Sequence, residues 1–156
     1  MSDNNRPSTI AQKLVLMQLA DSFFPSGSFT LSHGLESLIQ TGKLQQPEDL
    51  VVFLRLLLSN KIGTCDLVAL IHGYRGSANN DLEIVRQADR QLYGQSLIAT
   101  TRQTQRQSGR ALLMVAQSTW QSQQLQLLDR DRILDRFNCL HPVVFGVVGS
   151  LSLIHI

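Results

Sequence analysis

Apolar residues recur along the chain with the three- and four-residue spacing of helices, and no stretch shows the two-residue alternation of a strand. Short polar breaks divide these apolar stretches. The pattern therefore predicts an all-α, single-domain helical bundle of about seven to eight helices. The predicted helices cover residues 9–21, 29–41, 47 to a weak stretch at 60–63, 64–74, 82–93, 97–123, 129–137 and 143 onward.

Capping residues mark several of these boundaries. Gly42 suits the position just after a helix, and Pro47 suits a first turn that also carries two acids at the positive end of the helix dipole. Residues 76–80 read as a polar turn, after which Asp81 caps the next helix. We expect one domain over residues 1–156, with 1–8 as a flexible tail and 150–156 as an atypical end.

The last apolar stretch, residues 143–156, raises the question of whether it spans a membrane or lies buried in the core. It is shorter than the roughly 18–20 residues of a membrane-spanning helix, so a buried terminal helix is the preferred interpretation. The polar start of the chain, MSDNNRPSTIAQ, lacks the apolar core of a signal peptide. We therefore expect a cytoplasmic protein with no membrane contact.

Composition narrows the possible functions. Of 156 residues, 43% are hydrophobic and 17% are charged, which is typical of a soluble globular protein. The formal net charge of +2 is too small to favour nucleic-acid binding. Cys65 and Cys139 lie far apart without a CxxC pair, so no disulfide framework is predicted.

Residues 23–36, FFPSGSFTLSHGLE, stand out because an apolar run breaks and a helix restarts with a histidine. A catalytic loop, a ligand clamp and a docking edge are the alternatives. Ser32 and His33 are adjacent on a helix and point about 100° apart, so they cannot pair as nucleophile and base. Gly27 and Gly34 have the spacing of a phosphate-binding loop, but its lysine is absent. No nucleotide site is therefore expected.

A helical wheel of residues 29–41 favours the docking edge. Phe29, His33 and Glu36 fall on the polar side, where an aromatic next to polar groups is typical of a protein interface. Local packing of Phe29 against the preceding helix is the equally weighted alternative. Gly34 falls on the apolar side and is expected to let another helix approach closely.

The histidines and cysteines do not assemble a predicted metal site. Cys65 and His72 would lie roughly 10 Å apart along one helix axis, which is too far to share an ion. Cys139 and His141 supply only two ligands, whereas a structural zinc site needs four. His155 lies in the atypical end. We expect no metal bound within one chain.

The long helix carries a ladder of Arg102, Arg106 and Arg110 at four-residue spacing. Like charges so placed destabilise an isolated helix by a few tenths of a kcal/mol per pair. A solvated face is the simplest interpretation, and an acidic partner is the alternative, with Glu48 or Asp49 as candidates within the chain. The stripe beside the ladder is small and polar before it becomes apolar, namely Leu97, Thr101, Thr104, Ser108, Leu112 and Val115.

Three blocks of sequence resemble one protein family. LMQLADSFFPSGSFTLSHGLE (16–36) resembles the N-terminal signature of the urease accessory protein UreF family. LIATTRQTQRQSGRALLMVA (97–116) and HPVVFGVV (141–148) are similar to two later family segments, in the family's order. Within these blocks the resemblance marks structural positions at Pro25, Gly27, Gly34, Gly109, His141 and Pro142.

The resemblance implies a helical, cytoplasmic protein that is not an enzyme. Proteins of this family dimerise and bind the accessory protein UreD (also called UreH). Together these recruit the GTPase UreG, which delivers nickel to apo-urease. The chain is then expected to bind no cofactor stably, because GTP belongs to the partner and nickel to the assembled complex. Phe29, His33, Glu36, Arg102, Arg106 and Arg110 are the candidate partner-binding residues.

The resemblance has two departures. Gln105 and Gln107 stand where relatives often carry acids. After Gly149 the sequence SLSLIHI does not resemble the family's next segment, so the chain is expected to be incomplete at its C-terminus. Two other functions stay open: a helical interaction module unrelated to urease that uses the arginine ladder, and a hydrolase built from scattered residues.

Overall fold

The computed structural model describes residues 34–154, together with residues 10, 14 and 17 ahead of them. No strand occurs in these residues, so the predicted all-α class is confirmed. The helices, numbered here in chain order, are α1 (Leu35–Gln40), α2 (Pro47–Leu57), a π-helical segment (Leu58–Asp66), α3 (Leu67–Ala78), α4 (Leu82–Gln95), α5 (Ala99–Thr119), α6 (Gln123–Ile133) and α7 (His141–Ile154).

Helix α2, the π-helical segment and α3 follow one another without a break. The described residues therefore form six separate helical rods, slightly fewer than the seven to eight predicted for the whole chain. The predicted weak stretch at 60–63 does not end the helix. Instead, a π-helix, with hydrogen bonds from residue i to i+5, continues through this stretch. Within it, the Thr64 hydroxyl donates to the Asn60 carbonyl at 2.8 Å.

Side-chain caps place the starts of α2 and α4 where the sequence predicted them. The Asp49 carboxylate accepts the backbone N–H groups of Gln45 and Gln46 at 3.0 and 3.1 Å, which completes a capping box at α2. These two bonds lower the pKa of Asp49. Asp81 is the N-cap of α4, and its carboxylate accepts the backbone N–H groups of Glu83 and Ile84 at 3.0 and 3.3 Å. Gly42 after α1 has a φ of 69°, which favours glycine.

Three further predicted boundaries are wrong. The chain stays helical through Ala78, so the turn occupies only residues 79–80. Helix α5 ends at Thr119, because Trp120 is extended and packs against the core. Helix α6 then begins at Gln123, six residues before the predicted start, since Leu125 and Leu128 already face the core and are fully buried.

The core is built around α7. Its buried residues are at most 3% exposed and include Val143, Val144, Val147, Val148 and Leu151. The predicted buried terminal helix is confirmed. Among the described residues, no helix reaches both the length and the apolar character that crossing a membrane requires.

Two glycines let α7 cross α3 at close range. A Cβ at Gly146 would lie 2.2 Å from the Leu70 carbonyl oxygen, and one at Gly73 would lie 2.6 Å from the Val143 carbonyl oxygen. Any larger side chain at either position would therefore push the two helices apart.

Helix α2 has no buried residue. Its apolar side chains are between 38 and 58% exposed at Leu50, Val51, Val52, Leu54 and Leu56. These five side chains lie on more than one side of the helix, and we call them together the α2 apolar face.

Candidate functional site

The predicted contact strip of residues 29–36 is described only at its end. Phe29 and His33 lie outside the described residues, as do Pro25 and Gly27. Glu36 is exposed in the first turn of α1. The role of this strip in partner binding stays a prediction.

Gly34 does not have the role predicted for it. Its φ of 90° is left-handed, which the interior of a right-handed helix does not allow, and it forms the N-cap of α1. The predicted continuous helix from residue 29 is therefore interrupted at Gly34. Glycine is required here for its backbone conformation and not for close helix packing.

The three arginines of the α5 ladder have different environments. Arg102 is held by contacts with other residues of the chain. Its guanidinium donates to the Ser96 carbonyl at 2.5 Å and to the Leu97 carbonyl at 3.1 Å. It also lies over the Tyr93 ring, 5.4 Å from the centroid. Arg102 therefore holds the connection between α4 and α5, and it leaves Leu97 88% exposed at the tip.

Arg106 makes weaker contacts within the chain than Arg102 does, and Arg110 makes the fewest. Arg106 donates to the Asn138 carbonyl at 3.3 Å and lies 3.9 Å from the carboxylate of Asp135, which is itself 93% exposed. Arg110 is exposed, and within residues 34–154 no ion pair or hydrogen bond engages its guanidinium. The predicted internal partners Glu48 and Asp49 are wrong, since Asp49 caps α2 instead.

The ladder forms one wall of an open groove of about 400 Å³, which we call the α5 basic groove. No carboxylate lines it, so its charge is entirely positive. Its lining residues are Tyr93, Ala99, Arg102, Gln103, Arg106, Gln107 and Arg110.

A buried polar cluster lies behind α5, facing the π-helical segment. Gln105 is only 5% exposed and donates to the Asp66 carboxylate at 3.2 Å, and Lys61 forms an ion pair with the same carboxylate. The Gln105 carbonyl oxygen and the His141 Nε2 atom have no hydrogen-bond partner among the described residues. Burial lowers the pKa of His141, and the charge of Asp66 partly opposes this shift.

Asp89 fixes the segment between α6 and α7. This fully buried carboxylate accepts the backbone N–H groups of Asn138 at 2.5 Å and of Leu140 at 2.9 Å. Burial raises the pKa of Asp89, and those two hydrogen bonds oppose the rise. Sequence reasoning missed Asp89, although a carboxylate on the stripe of Val85, Ala88 and Leu92 is a detectable signal.

Gly109 lies against the same segment. A Cβ on Gly109 would lie 1.9 Å from the Cys139 carbonyl oxygen, and Cys139 itself has a φ of 65°. His141 begins α7 directly afterwards and is followed by the buried Pro142. The structural positions marked near residues 109 and 141 by the resemblance therefore meet at one contact.

The cysteines and histidines are not gathered into a metal site in the described part of the chain. Within it, no three side chains of His, Cys, Asp or Glu are close enough to hold an ion together. Both cysteines are free, as predicted. Burial raises the pKa of Cys139 to about 12, so this thiol stays protonated at neutral pH.

Comparison with known proteins decides the family. A family model described as UreF matches residues 44–154, which is well over half of the chain. The chain belongs to the UreF family. The resemblance noted in the sequence is thereby confirmed. The match ends at residue 154, and the atypical end expected at residues 150–156 stays a prediction.

Three relatives carry the description "Urease accessory protein UreF". The protein from Trichodesmium erythraeum is 59% identical over 144 residues, which are 92% of this chain and 62% of the relative. That from Lachnoclostridium phytofermentans is 31% identical over 90% of this chain and 61% of the relative. The protein from Bradyrhizobium sp. is 29% identical over 86% of this chain and 55% of the relative.

The chain thus spans 55 to 62% of the length of these relatives. No solved structure matches it.

Proposed function

We propose that this protein is a non-enzymatic accessory protein of urease maturation. In this role it acts as a scaffold for nickel insertion into apo-urease, bridging the UreD/UreH accessory protein and the GTPase UreG. The observation that carries the proposal is the family match over residues 44–154, together with a relative named urease accessory protein that is 59% identical over 144 residues.

The surface of the chain supports a role in protein binding. The α2 apolar face exposes five neighbouring aliphatic side chains, and surfaces of this kind mark contacts with another polypeptide. The α5 basic groove adds a charged surface on a different helix. A scaffold that contacts several proteins requires distinct surfaces of this kind.

The proposal assigns the chemistry of maturation to the assembled complex. GTP is bound by UreG, nickel is passed on within the assembly, and this chain binds no cofactor stably. The assembly works in the cytoplasm, without nucleic acid or membrane, and the full-length protein forms a homodimer. Membership of the UreF family argues against an interaction module unrelated to urease.

A chimera tests the proposal without depending on the length of the present chain. The 144 aligned residues replace their counterparts in the Trichodesmium relative, and the chimera is expressed with the other urease genes in a host lacking its own UreF. We expect urease activity that depends on added nickel, at a level close to that given by the intact relative.

Two readouts make the result decisive. The chimera should co-purify with UreD/UreH and with UreG, and urease isolated from these cells should contain nickel. A stable, soluble chimera that restores no activity and binds neither partner would refute the proposed function. Mixing of purified chimera with ester and amide substrates tests the hydrolase alternative, where saturable turnover would contradict the non-enzymatic role.

A further inference from the structure

The α5 basic groove concentrates positive charge. Three arginines line it without any carboxylate, whereas the whole chain has a formal net charge of only +2. Like charges one turn apart on a helix repel each other. A ligand that carries negative charge would remove this repulsion.

The three arginines are not equivalent, and Arg102 prepares the groove instead of binding in it. Its guanidinium already bonds the carbonyls of Ser96 and Leu97 and stacks on Tyr93. These contacts fix one end of the groove before any ligand arrives. Preorganisation of this kind lowers the entropy cost of binding.

Arg106 and Arg110 are the arginines available to a ligand. They are separated by one helical turn, about 6 Å along the axis. The internal acid nearest to Arg106, Asp135, is 3.9 Å away and almost fully exposed, and exposed pairs of this kind contribute little to stability. A ligand carboxylate can therefore displace Asp135 at small cost.

The shape and surroundings of the groove indicate the class of ligand. Arg106 and Arg110 lie about two and three turns into α5, where backbone N–H groups are used within the helix, so these two arginines have no amide cradle for a small anion beside them. Leu97 and Ile98, which are 88% and 65% exposed, lie beside its Ala99 end. Exposed apolar residues next to arginines suit a polypeptide better than the uniformly charged backbone of a nucleic acid.

We propose that the α5 basic groove binds an acidic helical segment of a protein in the urease-activation assembly, with carboxylates one turn apart on Arg106 and Arg110. An apolar residue of that segment covers Leu97 and Ile98. This inference rests on the proposed function for the identity of the assembly, but the complementary surface is a property of this chain.

The first experiment uses the chimera and reverses the two charges. Arg106→Glu/Arg110→Glu should weaken the recovery of one assembly component about tenfold or more, with an effect that shrinks as salt rises. Arg130→Glu is the matched control, because Arg130 lies on α6 and does not line the groove. Circular dichroism should show the same helical content for all variants.

The second experiment uses a defined probe. A labelled helical peptide with pairs of Glu four residues apart should bind the chimera in fluorescence anisotropy, and the Gln version of the peptide should bind about tenfold more weakly. Arg106→Glu/Arg110→Glu should abolish this difference. A single-stranded DNA of equal charge and inorganic phosphate serve as competitors.

The outcomes separate the two proposals. A chimera that restores urease and binds its partners equally well with and without the charge reversal would overturn the groove assignment but keep the proposed function. Charge-dependent peptide binding without urease restoration would keep the groove and refute the function. Stronger binding of DNA than of the acidic peptide would overturn the proposed ligand class.

Discussion

At the residue scale, Gly109 shows how little space the fold leaves between α5 and the segment before α7. We expect Gly109→Ala to destabilise the chain by about 3 kcal/mol, because the new methyl group would lie 1.9 Å from the Cys139 carbonyl oxygen. Urea denaturation of both proteins measures the change in the free energy of unfolding.

Gly94→Ala is the matched control for this prediction. Gly94 lies in the last turn of α4, and no atom lies within 4 Å of the place that an alanine methyl group would take. Alanine should therefore stabilise the helix by about 0.5 kcal/mol. Equal effects of the two substitutions would show that the close contact at Gly109 is absent in solution.

His141 should make stability depend on pH. Burial lowers its pKa, so below the ordinary value of about 6.5 the unfolded chain takes up a proton that the folded chain resists. The free energy of unfolding should therefore fall as pH is lowered through that value. Urea denaturation at several pH values between about 7.5 and 5.5 measures the slope.

Two substitutions assign the slope to His141. His141→Gln should flatten it, whereas His72→Gln should leave it unchanged, because the His72 side chain is exposed on α3. A slope that survives His141→Gln would show that another group causes the pH dependence.

Which residues matter was partly predictable from the sequence. The resemblance marked Gly109 and His141, and the spacing marked all three arginines. The different roles of the three arginines were not predictable. The contacts of Arg102 depend on the path of the α4–α5 connection, and those of Arg106 depend on a carbonyl 32 residues away. Gln105 was noticed only as a difference in charge, although its amide is buried against Asp66.

At the element scale, Asp89 joins α4 to the segment that leads into α7. Asp89→Ala would leave the backbone N–H groups of Asn138 and Leu140 without an acceptor in the core. We expect a loss of about 3 kcal/mol in the free energy of unfolding, measured by urea denaturation.

The control for this prediction is Asp135→Asn, which removes the charge of a carboxylate that is 93% exposed, keeps a side chain that tolerates the left-handed φ of 56°, and should change stability by less than about 0.5 kcal/mol. Amide hydrogen exchange adds a local test, since residues 138 and 140 should lose protection in Asp89→Ala. Unchanged protection there would contradict the role of Asp89.

Helix boundaries marked by local caps were easier to predict than boundaries set by long-range packing. Asp81, Asp49 and Gly42 act through contacts within four residues, so local sequence is sufficient. The end of α5 depends instead on Trp120 packing against the distant core, and the start of α6 depends on where Leu125 meets it. Long-range packing of this kind leaves no local signal.

At the scale of the whole molecule, the α2 apolar face contrasts with the buried valines of α7. We expect Val51→Gln/Val52→Gln to change the free energy of unfolding by less than about 0.5 kcal/mol per site, because both side chains are more than half exposed. Self-association should decrease, as measured by sedimentation velocity.

Val147→Gln is the control, since the same change at a fully buried site should cost several kcal/mol. A large loss of stability from the α2 substitutions would show that this face is packed within the folded chain. The all-α class and the buried last helix followed from the apolar pattern alone, whereas the exposure of α2 did not, because the apolar run VVFLRLLL at residues 51–58 also suits a buried helix.

The π-helical segment has a consequence for how the chain tolerates insertions and deletions. Each residue of an α-helix turns the chain by about 100°, so the number of residues between α2 and α3 sets the rotational phase of one helix relative to the other. Hydrogen bonds from residue i to i+5 enclose one residue more than those of an α-helix, so removal of a single residue from Leu58–Asp66 would let the segment become α-helical and keep Gly73 facing α7. Insertion of a residue there has no such outlet, so the segment should tolerate the loss of one residue better than the gain of one.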